Sequence, residues 1–433
     1  MFDRRELLKA GALFTGAAAT APFSGQAFGA AASAKFRWDV MPPESAGMSR
    51  SGIDGMRAAI QKNIDSKVIS GAVTAVSRRN KLVLFEAQGF ADVDAKRPMT
   101  TDSLFRIMSS SKAITAVAVM MMVEEGKLAL EDPVSKFIPS FRNQKVSISP
   151  AGNKDPGKVR MVPATRDITI KDLLTHTAGL STLSEQVPGL EALRKNAERR
   201  PGDTLSTAIP RLGTLPLDFQ PGTKWRYSPL DGMDTLLYLV ELASRTPADK
   251  FLQERIFSPL DMRSTYFNVP ASETGRLVKI YAAKDGVFEQ RSWMFGEGPF
   301  KYFSGAGGLT SCAHDMLNFE LMLLNGGNFD GRRLLKPATV ALMSRNHVGS
   351  LFADWIPFIT GGNGFGLGVS VVEDESRSAG KAVGAFGWGG AYGTESWADP
   401  KLEVAAVMLI QMDPAPPSPK TDFTQAIRRA IVA

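Results

Sequence analysis

Residues 110–125 (SSKAITAVAVMMMVEE) read as a helix that is apolar on nearly every face. Such a helix has no side to offer to water, so the rest of the chain has to cover it. Its first turn is polar and carries Ser109 and Lys112, an S-x-x-K pair within FRIMSSSKAITA. Residues three apart on a helix share a face, so the hydroxyl and the amine fall within reach of each other. The helix start adds free backbone N–H groups and the positive end of the helix dipole, which favour an oxyanion and disfavour a charged amine. Burial also disfavours a charged lysine. Nucleophile, base and electrostatic support therefore fit into one turn. The plainer alternative is that Ser109, Ser110 and Ser111 cap the helix and Lys112 reaches solvent.

The chain has 433 residues, 44% hydrophobic and 22% charged, a globular composition large enough for one domain or two interleaved ones. Asp3-Arg4-Arg5-Glu6-Leu7-Leu8-Lys9 is close to the twin-arginine export pattern, and an uncharged Ala/Gly-rich stretch follows up to Ala34. Pro22 and the glycines around it argue against a permanent membrane span. Residues 1–34 are therefore expected to be an export signal, cleaved after Ala32-Ser33-Ala34 or, as a second choice, near Ala27-Phe28-Gly29. The mature protein is then expected in the periplasm or outside the cell. A general secretory signal or a retained anchor is the alternative.

The formal charge of +7 is scattered, with no basic run and no aromatic-basic platform, so nucleic acid is not an expected partner. Cys312 is alone and excludes an internal disulfide; a buried thiol is expected. His176, His314 and His347 show no paired-ligand spacing, which argues against zinc and leaves few candidates for a Ser-His-Asp triad. No G-x-S-x-G elbow occurs.

Along the chain, 50–66 reads as an amphipathic helix and Gly71–Ser77 with Leu82–Phe85 as a hairpin. The Pro/Gly/Lys-rich stretch Ser147–Arg166 has no periodicity and reads as a loop, a lid or an insertion. Thr169-Ile170-Lys171-Asp172 resembles a capping box. Helices are expected over 232–246, 314–325 and about 421–432, and strands at Gly366–Val372, Lys381–Trp388, Gly393–Ala398 and Val404–Leu409. The order β, then mostly α, then β points to an α/β (α+β) fold. Its N- and C-terminal strands would share one antiparallel sheet flanked by helices, with a mostly helical domain inserted. The expected subdomains are about 35–115 plus 290–433 and, between them, 116–289.

Two further constellations bear on chemistry. Tyr227 in PGTKWRYSPLDGMD follows a Pro-Gly turn and precedes a helix. A tyrosine there can point into a cleft and, beside a lysine, can take a serine proton. The alternative is a half-buried structural tyrosine. Trp388-Gly389-Gly390 in GWGGAYGTESWADP is expected on a strand edge, where paired glycines let the backbone approach a ligand. The N–H of Ala391 would then complement that of Ser109 as a second oxyanion donor. A hairpin bend with a core tryptophan is the alternative.

These segments together resemble the serine β-lactamase and penicillin-binding-protein superfamily, in its class C-like branch, and most of all the family VIII carboxylesterases. The resemblance spans about residues 40–430. FRIMSSSKAITA is similar to the first motif, PGTKWRYS to the second and WGGAYGTESWADP to the third in its esterase form. LLTHTAGL, SPLDMRSTYF, GAGGLTSCAHDM and GFGLGV are similar to landmarks between them. The resemblance implies a β-lactamase/transpeptidase-like fold, Ser109 as the acylated nucleophile, and base and acid roles shared by Lys112 and Tyr227. It implies no metal or organic cofactor. His176 carries no catalytic role over. Asp231 or Asp234 matches an aspartate of related esterases, with the spacing shifted.

Two departures bear on substrate. Where class C β-lactamases carry Tyr-x-Asn, this chain has Pro229, which has no side-chain amide. Where Lys-Thr-Gly is usual, it has Trp388-Gly389-Gly390, so the cation that clamps a substrate carboxylate is replaced by an apolar ring. Losing a charge-assisted contact costs about 1.5–3 kcal/mol. The implied substrate is a small, neutral, partly apolar ester. A β-lactamase or D-amino peptidase would need another cation near Trp388, with Lys301 and Arg345 as candidates. An acyltransferase, or a silent penicillin-binding-like sensor, are the remaining readings. The expected partner is a small-molecule ester, with no membrane span after signal cleavage.

Overall fold

The structure, a computed structural model, describes residues 35–150, 153–180, 187–296, 298–356 and 360–432. The segment read as an export signal lies outside the described residues.

The frame is an eight-stranded sheet. Its strands run in the spatial order Asn363–Phe365, Ser370–Val372, Phe386–Gly387, Glu395–Asp399, Val404–Leu409, Gly71–Arg78, Lys81–Asp92 and Arg97–Pro98. Every pairing in it is antiparallel, and the two ends of the chain meet at its centre, where Val73 pairs with Leu409 and Val76 with Ala406. Val404–Leu409 is an unbroken apolar run because it is buried on both faces. Val404, Ala406 and Met408 join the smaller core, under the first helix (Arg50–Asp65) and the last (Ser418–Ala430). Ala405, Val407 and Leu409 join the larger core, which holds the helices Ser111–Glu124, Asp231–Ser244 and Ala313–Leu324.

The apolar helix is Ser111–Glu124, and the residues from Ser111 to Met122 are buried. It packs against Asp231–Ser244 and beneath the loop at Gly368. Gly368 sits at φ +80°, and a Cβ there would lie 2.5 Å from that of Ala116, so only glycine lets this loop cross the helix. Among the described residues no helix is long and apolar enough to cross a membrane.

Several local expectations change. Ser147–Arg166 is not simply a loop: Lys145–Ile148 and Arg160–Pro163 pair as the root of a hairpin, and Ser147 N–H donates to Leu217 O at 2.9 Å. Proline, glycine and lysine in its arm hide that pairing. Gly366–Val372 is interrupted by a hairpin turn in which Gly366 N–H donates to Val369 O. Lys381–Trp388 narrows to Phe386–Gly387, because Gly384 at φ +91° turns the chain. Trp388-Gly389-Gly390 consequently lies just past a strand end rather than on a strand edge. The Thr169 capping box is present, with reciprocal bonds to Asp172 at 3.1 and 2.8 Å.

Candidate active site

Ser109 sits in a single 3₁₀ turn, Met108–Ser110, that feeds the buried helix. Met108 has φ +48°, a conformation L-residues adopt only when their surroundings hold them there. Its side chain is locked among Ile280, Tyr392, Trp293 and Phe295. The turn leaves Ser109 half-exposed at the cleft while Ser110, Ser111 and Lys112 are buried.

Lys112 Nζ lies 3.1 Å from Ser109 Oγ and donates to the carbonyls of Pro229 and Ala306, each at 2.7 Å. Those two bonds orient the amine. Its remaining valence, N–H or lone pair, faces the serine oxygen. Tyr227 OH donates to the same oxygen at 2.8 Å, and the lysine amine lies 5.1 Å from the tyrosine ring centroid. Lys112 does not reach solvent, and Tyr227 does point into the cleft. Pro229, which lacks the amide of the usual second motif, serves through its backbone oxygen.

His176 flanks Tyr227 on both sides of the chain. Its carbonyl accepts from Arg226 N–H at 3.1 Å and its Nδ1 from Ser228 N–H at 3.3 Å. The ring is enclosed by Trp225, Tyr227 and Phe365, with centroids 5.5, 4.9 and 5.3 Å away. Burial, and then the charge of Lys112, pull its pKa down to about 3, so it is neutral at working pH. The imidazole touches no reacting atom and acts on the loop that carries Tyr227.

The third segment is tied directly to the first. Thr394 Oγ1 donates to Ile107 O at 3.0 Å, which leaves Ser110 Oγ to donate to Thr394 Oγ1 at 3.1 Å or to Trp388 O at 3.4 Å. A Cβ on Gly390 would lie 2.2 Å from Ile107 O, and one on Gly389 would lie 2.6 Å from Glu395 Oε2. The paired glycines thus let the protein's own strands close up on each other. Neither Ser109 N–H nor Ala391 N–H has an acceptor among the described residues, and Ala391 is exposed. A hydroxyl faced by an amine and a phenol, with its own backbone N–H unused, is equipped for acyl transfer.

A family model described as Beta-lactamase matches residues 56–430. The chain belongs to that family. It is 37% identical over 380 residues to Protein Rv1367c of Mycobacterium tuberculosis, covering 84% of this chain and 90% of the relative. It is 30% identical over 386 residues to Esterase EstB of Burkholderia gladioli, covering 81% and 88%. Among solved structures it is similar to EstCE1, described as a hydrolase with promiscuous acyltransferase activity, with a TM-score of 0.71, 28% identity, and coverage of 89% of this chain and 99% of that one. The family and the antiparallel sheet-and-helix fold expected from the motifs both hold.

Asp234 emerges as a residue the sequence left unassigned. It is buried in the helix Asp231–Ser244 and accepts from Tyr302 OH at 2.8 Å, Ser304 Oγ at 2.8 Å and Ala306 N–H at 2.9 Å. It therefore holds the loop whose Ala306 carbonyl holds Lys112. Burial raises its pKa, opposed first by the Ser304 bond and the charge of Arg199. Its sequence signal was the likeness of Asp231 or Asp234 to an aspartate of related esterases, which the shifted spacing left unassigned.

On the other flank, Trp388 is fixed by Phe365 (centroids 5.3 Å apart, edge to face) and by Tyr227 (5.7 Å), and its indole N–H donates to Tyr227 OH at 3.4 Å. Behind it a cavity of about 530 Å³ contains Lys381 and Lys420. Both bind Glu395, at 2.9 and 2.8 Å. Although burial raises that carboxyl, Lys420 and Lys381 pull it down to about 2. Neither Lys301 nor Arg345, the two candidates for a cation that would serve the β-lactamase reading, lines this cavity, although Arg377 does. Among the described residues, the one group with metal-like spacing is Cys312, His314 and Asp315. It is poorly suited to an ion: burial pushes the Cys312 thiol up, and Asp315 Oδ2 already accepts from Ser264 N–H and Thr265 Oγ1.

Proposed function

We propose that this β-lactamase-family protein is a carboxylesterase that cleaves small esters through an acyl-enzyme on Ser109. The observation that carries the reading is the Ser109 hydroxyl, met by Tyr227 at 2.8 Å and by Lys112 at 3.1 Å. The single proton of Ser109 Oγ passes to one member of the Lys112–Tyr227 pair, the other staying protonated, as Oγ attacks the ester carbonyl. The N–H groups of Ser109 and Ala391 hold the oxyanion. Collapse expels the alcohol, which takes a proton from the same pair, and water then cleaves the acyl-enzyme by the reverse route. Trp388, Gly389 and Gly390 form the wall beside the substrate.

The preference for esters over β-lactams rests on Trp388, since the two lysines that line the cavity behind it are bound to Glu395. EstB, named an esterase, is consistent with this reading. The twin-arginine pattern at Arg4-Arg5 supports export to the periplasm or beyond.

The test is a side-by-side assay of the mature protein and Ser109→Ala on a short p-nitrophenyl ester series and a chromogenic cephalosporin. Ester turnover that disappears in the variant, with little cephalosporin turnover, is expected. Efficient cephalosporin hydrolysis would overturn the role given to Trp388. Turnover untouched by Ser109→Ala would overturn the assignment of the nucleophile.

A further inference from the structure

A second cavity, of about 490 Å³, lies beside the turn that carries Ser109. Its wall is aromatic, formed by Trp293, Phe295, Phe300 and Tyr302. Trp293 and Phe295 pack on Met108, the residue before the nucleophile, and Gly307 fills the space between Phe295 and the Met108 backbone. Tyr302 belongs to the Asp234 network that ends on Lys112. The cavity therefore adjoins the reacting centre and shares structural parts with it.

Among the described residues its lining is mainly basic. The Arg199 guanidinium lies over Phe295 and Tyr302, 5.4 and 4.9 Å from their centroids, and no carboxylate pairs with it among the described residues. Lys301 and Arg200 stand beside it in the lining. The acidic side chain there, Asp203, is held by Arg211 at 2.5 and 3.2 Å and by the Arg200 N–H at 2.7 Å. The Arg211 bonds keep that carboxyl well below the usual carboxylate range. Trp293 Nε1–H is shielded from solvent and has no acceptor among the described residues. A guanidinium resting on ring faces is weakly hydrated and keeps its N–H fork free for a planar anion.

We propose that this cavity is a subsite for esters that carry a carboxylate on an apolar or aromatic body, the carboxylate meeting Arg199 while the body lies on the aromatic wall. The proposal rests on the esterase reading above. It places recognition of an anionic group in a cavity that Trp388, which stands where the family's usual cation is missing, does not line.

The experiment measures kcat/KM in wild type, Arg199→Gln and Lys301→Ala. One substrate pair is p-nitrophenyl butyrate and the mono-p-nitrophenyl ester of glutaric acid. The other is p-nitrophenyl acetate and its analogue with a carboxylate on the nitrophenol ring. Arg199 is exposed and bonds none of Ser109, Lys112 and Tyr227; because its charge also acts on Asp234, the neutral esters measure that effect separately and Lys301→Ala serves as the second variant. Arg199→Gln is expected to lower kcat/KM about tenfold or more for the anionic member of one pair, with neutral esters within about twofold; Lys301→Ala is expected to have a smaller effect of the same kind. The affected pair shows which end of the ester occupies the cavity. Equal effects on neutral and anionic esters, no effect on either, or rejection of both anionic esters by wild type would overturn the subsite alone. Failure of wild type on the neutral esters too would overturn the esterase reading and this proposal with it.

Discussion

Lys112 and Lys381 both carry their amines into the protein interior, yet their surroundings differ in kind. Lys112 is held by two carbonyl oxygens and a serine hydroxyl, with no carboxylate in hydrogen-bond reach. Lys381 meets the Glu395 carboxylate at 2.9 Å, and Lys420 completes the cluster. Carbonyls orient an amine without competing for its proton. A carboxylate stabilises the charged form and would be left uncompensated if the proton departed. The first arrangement suits a group that must exchange a proton with Ser109. The second suits a fixed joint, here between the chain after Ser378, the strand Glu395–Asp399 and the last helix.

Replacing each lysine by methionine tests this contrast most strongly. Lys112→Met is expected to lower kcat/KM by about 10³-fold or more. Its stability should shift by no more than about 1–2 kcal/mol, because relief of a buried charge offsets two carbonyls losing a donor. Lys381→Met is expected to do the reverse: stability falls by about 1–3 kcal/mol, moderated by Lys420, while turnover per folded molecule stays within about threefold. Denaturant melts and initial rates on one p-nitrophenyl ester measure both quantities. A Lys112→Met protein that keeps a tenth of its activity would end the comparison.

Tyr227→Phe comes next. It removes the hydroxyl 2.8 Å from Ser109 Oγ but keeps the ring packing with His176 and Trp388. A loss of about 10²–10⁴ in kcat, with unchanged melting, is expected for a positioned proton-transfer group. A loss confined to KM would reduce Tyr227 to a wall of the cleft.

How much of this was legible depends on whether an interaction is local in sequence. Ser109 and Lys112 lie three residues apart on an apolar helix, so their meeting follows from helical geometry alone. Tyr227 and Trp388 needed the order of the motifs, and their roles became readable only through the family resemblance. Val404–Leu409 was legible as a strand, while its burial on both faces emerged from the two cores that pack against it. The hairpin rooted at Val146 and Val162 did not announce itself, because its arm is rich in turn residues and its partner at Leu217 is remote. The positive φ of Met108 left no mark either, since nothing in the residue type favours it and tertiary packing imposes it. Asp234 was visible only as one of two candidates for an aspartate of related esterases; its three donors come from residues 302–306, which no local pattern connects to it.

Asp234 sharpens the comparison at an intermediate size of effect. It is the carboxylate nearest to Lys112 in the bonding network, and it acts through the Ala306 peptide rather than by touching the amine. Asp234→Asn presents an amide N–H₂ where donors already converge. A stability loss of about 1–3 kcal/mol and a fall of about tenfold in kcat are expected, with KM little changed. Asp234→Glu should restore less than half of either, since the longer side chain displaces the loop. If Asp234→Asn melts early but turns over normally, the network supports the fold without positioning Lys112.

The smallest effect on turnover is expected at a third kind of buried charge site, a carboxyl with no cation bonded to it. Glu320, on the helix Ala313–Leu324, accepts from Ser396 Oγ at 2.6 Å, and its second oxygen has no partner. Burial pushes its pKa up to about 8, opposed by the Ser396 bond and raised further by Glu395. The neighbouring Glu395, supplied with two lysines, lies near 2, so a helix and the strand it packs on meet with one neutral and one ionised carboxyl. The folded pKa of Glu320 exceeds its unfolded value of 4.5, so the native state holds a proton that the unfolded chain releases between those two values. Its contribution to stability is therefore full below pH 4.5 and is lost as pH rises through about 8. Glu320→Gln keeps the shape and never ionises. The variant's stability should fall less steeply than wild type over this window, by up to about 1 kcal/mol per pH unit, with ester turnover unchanged. Parallel stability curves from urea melts across the window would show that Glu320 is ionised in the fold, and a cation would then have to be found for it as one is for Glu395.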